Sequence, residues 1–217
     1  EEEIPTWTEP QISTVTKGGY TLQKHANDAT NASQGLYAQL SAPSAPAWDA
    51  VFLQEQSQTP GFFVVGDPLY QASLAGATVL DGLIQDLDGG TWFLMTWGRR
   101  NGDSNNDWLY PDFLAMQDCL EQGTLNYQNV LSTTERPVFV APAGRAWREI
   151  YLQHQALGED PLSGESLFHR LYTGDGSHPS VLGSYITGLV MYSALTGRSP
   201  LEIQAAPDGV AEDDLQR

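Results

Sequence analysis

Asp175 and His178 stand three residues apart in YTGDGSHPS (residues 172–180), just before a long helical pattern. This pair suits acid–base work at a hydroxyl nucleophile. One imidazole nitrogen accepts the nucleophile's proton, and a carboxylate on the other fixes the tautomer and stabilises the imidazolium. A tight turn brings two side chains at this spacing into contact. The competing reading is structural: Asp175 and Ser177 cap the helix and His178 is merely exposed. His25, His154 and His169 lie in helical or polar segments and read as surface or structural residues. No His, Asp or Glu spacing suggests a zinc site. Cys119 is the only cysteine, so a disulfide within the chain and a cysteine metal site are both excluded. It lies on the apolar side of a helical pattern and reads as a small buried hydrophobe. No metal or organic cofactor is expected.

Other residues could complete such a site. Gly18 and Gly19 come after the β-branched run QISTVT (residues 11–16). They form a tight turn, or they present backbone N–H groups to an oxyanion where a missing side chain permits close approach. The apolar run AVFLQ (residues 50–54) leads directly into Glu55, Gln56, Ser57 and Gln58. Such polar density is costly unless the groups are paired or serve a site, and the Gln56 or Gln58 amide could be a second oxyanion donor. Gly102-Asp103-Ser104 is a possible nucleophile segment and equally a turn rich in Asn and Asp. Ser104 stands several residues past its strand, whereas a nucleophile is normally held on a sharp strand-to-helix turn. Ser57 is nearer a strand end but lacks a preceding glycine. Both remain minor nucleophile candidates. Arg99 and Arg100 either bind an acidic substrate group or, by default, pair with the many carboxylates. Trp97, Trp108 and Trp147 lie near strand ends and could stack on sugar rings, although core packing is the expected role of at least two.

The elements that position these residues alternate. Strand patterns cover residues 11–16, 50–54, 91–97 and 137–142. Helical patterns cover 22–40, 69–87, 108–131, 144–157 and about 179–195. Repeated strand–helix units predict an α/β fold: a parallel sheet with helices on both faces. Ligands of open parallel sheets bind beyond the carboxyl ends of the strands. The polar, Gly-rich segments after each strand are therefore expected to gather at one edge.

The 217 residues fit one domain, read as residues 1–205 with an acidic tail at 206–217 that is expected to fray. Oligomeric state is not legible. Hydrophobic residues make up 41%, enough for a core, and no apolar run approaches bilayer length. The formal charge is −17, with 27 acidic residues against 10 Lys and Arg, so nucleic acid and anionic lipid are poor partners. The acidity suggests an extracytoplasmic (periplasmic or secreted) setting. The opening EEEIPTW (residues 1–7) reads as the end of a helix and a loop rather than as a signal peptide.

Together these residues resemble the SGNH (GDSL-like) hydrolase superfamily. The likeness is to a bacterial branch with LQEQS after a buried strand and DGSHPS before the last helix. Here the matching stretches are WDAVFLQEQSQTP (residues 48–60), DGSHPSVLGSYITGLVMYSALTGRSP (175–200) and VTKGGYTLQKH (15–25). The resemblance covers almost the whole chain. It implies a three-layer α/β/α, flavodoxin-like domain and a serine esterase, with a carbohydrate O-acetyl group as one possible substrate. It implies His178 as base, Asp175 as its acid partner, and Gly18 or Gly19 in the oxyanion hole. The family's Gly-x-Asn block is absent as such; Gln56, Ser57 and Gln58 occupy its place. The family's first strand, ending in the serine, is also not found, and EEEIPTW resembles the segment just after the family's first helix. Three explanations stand: a strand omitted or cleaved, which is favoured; a strand supplied by another polypeptide; or a relative that lost catalysis and binds carbohydrate.

Overall fold

The computed structural model describes residues 10–203 and 205–210. The opening EEEIPTW and residues 211–217 of the acidic tail lie outside the described residues.

Among the described residues three parallel strands form the sheet in the order β1-β2-β3: β1 (Ala50–Leu53), β2 (Gly90–Leu94) and β3 (Phe139–Ala141). Val51 is level with Thr91, and Phe93 with Val140. The helices are α1 (Leu22–Ala29), α2 (Gly35–Leu40), α3 (Pro68–Asp86), α4 (Phe113–Leu131), α5 (Ala143–Ala156), α6 (Leu167–Arg170) and α7 (Val181–Thr196). A 3₁₀ segment, Thr59–Val65, links β1 to α3.

The helix boundaries obey local chemistry. Asp67 caps α3 by accepting a hydrogen bond from the Leu69 N–H at 2.7 Å, with Pro68 at the first helical position, where its missing N–H costs nothing. The helical pattern over 108–131 yields a helix only from Phe113. Pro111 interrupts the first turns, and the extended Asp112 caps by accepting from the Ala115 N–H at 2.8 Å. The pattern over 22–40 breaks into two helices. Asn31 and Ser33 turn the chain between them, the Asn31 side chain accepting from the Ser33 N–H at 3.1 Å. Residues 11–16, expected as a strand, are fully exposed and join no strand among the described residues; Ile12 is 81% exposed.

The two faces of the sheet differ. On one, Phe93 stacks on Tyr127 of α4, which stacks on Tyr70 of α3, and Leu80, Ile84 and Met116 complete a buried core. The other carries the aromatic column Phe52–Trp92–Phe139, with Phe52 and Trp92 half-buried and Phe139 exposed. α7 is apolar along most of its length, yet only Leu182, Gly183 and Thr187 are buried. A second cluster around Phe113, Trp147, Phe168 and Tyr172 joins α4, α5 and α6 to the 172–180 loop. Val210 packs against it, so part of the tail returns to the body.

Candidate active site

Because the strands are parallel, their carboxyl ends share one edge, and the polar segments after them meet there. The loop after β2 is the hub. Tyr172 donates from its hydroxyl to the Gly98 carbonyl at 2.6 Å, and the Trp97 indole N–H donates to the Ser177 carbonyl at 3.2 Å. The Arg100 N–H donates to the Gly176 carbonyl at 2.8 Å. These bonds seat the Asp175–His178 loop on the end of β2. The segment after β1 reaches the same hub through Gln58, whose amide donates to Asp103 at 2.6 Å.

Within the loop, His178 Nδ1 lies 2.6 Å from Asp175 Oδ2. Asp175 Oδ1 accepts from the N–H of Ser177 at 2.8 Å, the N–H of His178 at 3.0 Å and the Thr173 hydroxyl at 2.8 Å. The bond from His178, then these backbone and hydroxyl donors, hold the Asp175 carboxyl well below the usual carboxylate range. Gly176 turns the chain at φ 67°, a left-handed conformation that suits glycine. The His178 side chain is 79% exposed and its Nε2 has no partner among the described residues. Ser180, not Asp175, caps α7, accepting from the Gly183 N–H at 3.2 Å. Asp175 is thereby free to hold the imidazole.

Gly18 and Gly19 form an exposed turn in which the Tyr20 N–H donates to the Lys17 carbonyl at 3.2 Å. Gly19 sits at φ 64°, and neither glycine N–H has an acceptor among the described residues. The turn is tied to the end of β1 by Glu55, whose carboxylate accepts from the Leu22 N–H at 3.0 Å and the Gln56 N–H at 2.6 Å. Ser73 also donates to Glu55 and contacts the Tyr127 hydroxyl at 2.7 Å. Burial pushes the Glu55 carboxyl up, against these hydrogen bonds. The polar pattern of residues 54–58 does not distinguish Glu55, a buried anchor, from its neighbours.

Gln56 and Gln58 are engaged with each other and with the loop after β2. Gln56 Nε2 donates to Gln58 Oε1 at 2.5 Å, and Gln56 Oε1 accepts from the Gln58 N–H at 3.1 Å. With its own amide on Asp103, Gln58 is a structural strut; the Gln56 N–H₂ likewise donates one bond, to Gln58. Asp103 is 1% exposed and also accepts from Arg99 at 2.7 Å and Asn106 at 2.7 Å. Burial would raise its pKa, but Asn106, Gln58, the Asn105 N–H and Arg99 together lower it. Gly102-Asp103-Ser104 is thus organised around its aspartate. Ser104 is exposed, Ser57 is half-buried, and neither hydroxyl contacts His178.

The default pairing expected of both arginines holds only for Arg99. The Arg100 guanidinium lies 5.9 Å from the Tyr172 ring centroid and has no side-chain acceptor among the described residues. His154 is a structural link: Nδ1 meets Glu159 at 2.6 Å, and Nε2 accepts from the Leu167 N–H at 3.1 Å. Trp147 is fully buried, and Trp97 stacks on it at 4.2 Å; Trp108 is 67% exposed. Cys119 is half-buried at the edge of the main core.

No family model and no curated protein matches the chain. Among solved structures it is similar to a DUF4886 family protein from Bacteroides uniformis, with a TM-score of 0.67 and 17% identity over 92% of this chain and 76% of that one. It is also similar to a protein from Slackia heliotrinireducens described as a "putative SGNH hydrolase", with a TM-score of 0.55 and 21% identity over 82% of this chain and 80% of that one. At these identities the likeness shows the fold: a mixed α/β arrangement on a parallel sheet, shared with an SGNH-like protein.

Proposed function

We propose that this chain is the acid- and base-bearing part of an SGNH-type serine esterase, acting on an ester such as a carbohydrate O-acetyl group. The observation that carries the reading is the 2.6 Å contact of His178 Nδ1 with Asp175, which leaves Nε2 open at the carboxyl edge of the sheet. In this reading a serine hydroxyl attacks the ester carbonyl while Nε2 takes its proton. Asp175 holds the Nδ1–H and stabilises the imidazolium. The N–H groups of Gly18 or Gly19 and the Gln56 amide receive the developing oxyanion. His178 then returns the proton to the departing alkoxide, and water resolves the acyl-enzyme by the same route.

The serine of this proposal stands on a strand paired with the open edge of β1. Two features support it. Among the described residues β1 pairs on one side only, and the strand-like residues 11–16 join no strand. The Phe52–Trp92–Phe139 face and the outer side of α7 (Ile186, Leu189 and Val190) want a helix to cover them, as a strand–helix unit would provide. The test is His178→Ala in full-length protein assayed on an acetylated sugar. Turnover should fall by about 10²- to 10⁴-fold; unchanged turnover ends the proposal.

A second reading, a carbohydrate-binding protein derived from the same fold, is favoured by the exposed indole of Trp108. Glycan binding that survives His178→Ala, with no ester cleavage by the full-length protein, would select it.

A further inference from the structure

We propose that Arg100 is an anion-recognition residue, so that the ligand taken beside His178 carries a carboxylate or phosphate group. The proposal rests on the esterase reading for the chemistry at His178, but anion binding is separable from turnover. Cations of this acidic chain find acids readily: Lys17 meets Asp28, Arg99 meets Asp103, Arg136 meets Asp81, and Arg145 and Arg148 meet Glu121. Arg100 forms no ion pair among the described residues. Lys24 forms none either, but it lies on α1 at the surface, where water solvates it. Arg100 is half-buried, and a desolvated cation without a counter-charge is costly.

Its position gives the reason. The backbone of Arg100 is bonded to Gly176, and the guanidinium runs along that residue, between Asp175 and Ser177 in sequence. A methyl group at Gly176 would lie 3.3 Å from Nη2 and 3.4 Å from Cζ. The glycine therefore leaves the guanidinium room to lie against the loop that carries the base. Tyr172 supports it from one side. No ion pair joins Arg100 to Asp175 among the described residues; Asp175 Oδ1 accepts within the loop and Oδ2 meets His178. Burial, and then the Arg100 charge, lower the pKa of His169, which disfavours a second cation beside the guanidinium. A planar fork of N–H donors suits two oxygens of one oxyacid. With a net charge of −17, an anionic ligand is repelled unless a local cation receives it, whereas a neutral ester needs none.

The experiment is titration of the chain, at low ionic strength, with glucose, glucuronate and glucose 6-phosphate. Binding is read from tryptophan fluorescence, Trp97 being bonded to Ser177, and from the His178 ring resonances. At least one anion should bind at least tenfold more tightly than glucose. A preference for glucuronate assigns a carboxylate; a preference for the phosphate assigns a phosphoryl group. Arg100→Gln should abolish the preference at unchanged Tm, and Arg100→Lys should keep part of it. Equal binding of all three sugars, absence of anion binding, or a preference that persists in Arg100→Gln would overturn the assignment. His178→Ala should leave the preference intact. No preference in the unsubstituted chain, with turnover of the full-length protein intact, removes only the role of Arg100; a preference without turnover in the full-length protein removes only the esterase reading.

Discussion

The Gln58 amide donates to the Asp103 carboxylate at 2.6 Å, joining the segment after β1 to the loop after β2 across 45 residues of sequence. Arg99, Asn106 and the Asn105 N–H also converge on the Asp103 carboxylate. Asp103→Ala should therefore destabilise the protein by about 3–5 kcal/mol, because it strands a half-buried guanidinium and two amides. Urea melts should show a lower midpoint with little change in slope. A shift of a few tenths of a kcal/mol would mean that the loop keeps its shape without its hub.

The contact between Asp175 and His178 was legible because it is local. Asp175 and His178 share one turn, and nothing remote is needed to bring them together. The hub was not, since Asp103 finds Gln58 only through the fold and the sequence shows merely a turn rich in Asn and Asp. That Arg100 forms no ion pair among the described residues is likewise a tertiary fact. Strand propensity alone does not make residues 11–16 a strand: β-branched residues favour one, but a strand also requires a neighbour, and among the described residues none lies against this run. Helical spacing ran past Pro111 because periodicity does not register a missing N–H.

Gly123 lets α4 meet the 3₁₀ segment at Pro60. A methyl group there would overlap the Pro60 carbonyl, which is backbone and cannot swing aside. Gly123→Ala should cost about 3 kcal/mol despite the higher helix propensity of alanine. A neutral or stabilising result in a thermal melt would mean that this contact yields readily.

Glu55 offers a pH test. Its carboxyl is raised above the ordinary 4.5 by burial, so the folded state binds a proton more readily than the unfolded chain. Above the raised value, burial of the charged form opposes folding; as pH falls through it toward 4.5, that opposition is relieved and this group adds stability. Glu55→Gln should flatten this part of the stability–pH curve, measured by urea melts between about pH 7 and 4.5. It should also loosen the Gly18-Gly19 turn, seen as faster amide exchange at Leu22. An unchanged curve would place the titration elsewhere.

For Asp175 the sign is opposite. Its carboxyl is depressed by the bond from His178 and by three further donors. Its contribution to holding the loop is fully present above the unfolded value near 3.8 and is lost only as pH falls through the lower folded value. A carboxyl-carbon NMR titration should find Asp175 still ionised at about pH 3. Asp175→Asn should leave the fold intact yet lower kcat of the full-length protein by about 10³- to 10⁴-fold, because the amide presents the wrong partner to Nδ1. A midpoint near 3.8 would mean that the loop bonds are not kept in solution.

The location of the nucleophile can be decided chemically. A fluorophosphonate reacts with a serine whose proton is drawn off by a neighbouring base and whose adduct is held by oxyanion donors. Ser57 and Ser104 have hydroxyls, but neither touches the imidazole, and the Gly102–Ser104 turn is occupied with its own aspartate. Treating the 217-residue chain and mapping peptides by mass spectrometry should therefore give no adduct at either serine. The same probe on full-length protein should label one serine on a strand beside β1, and labelling should be lost in His178→Ala. Residues 50–53 and 11–16 should exchange their amide protons faster in the chain alone than in the full-length protein, because a strand between them would pair both edges. An adduct on Ser57 or Ser104 in the 217-residue chain would place the whole site within it and leave the open edge of β1 without a catalytic role.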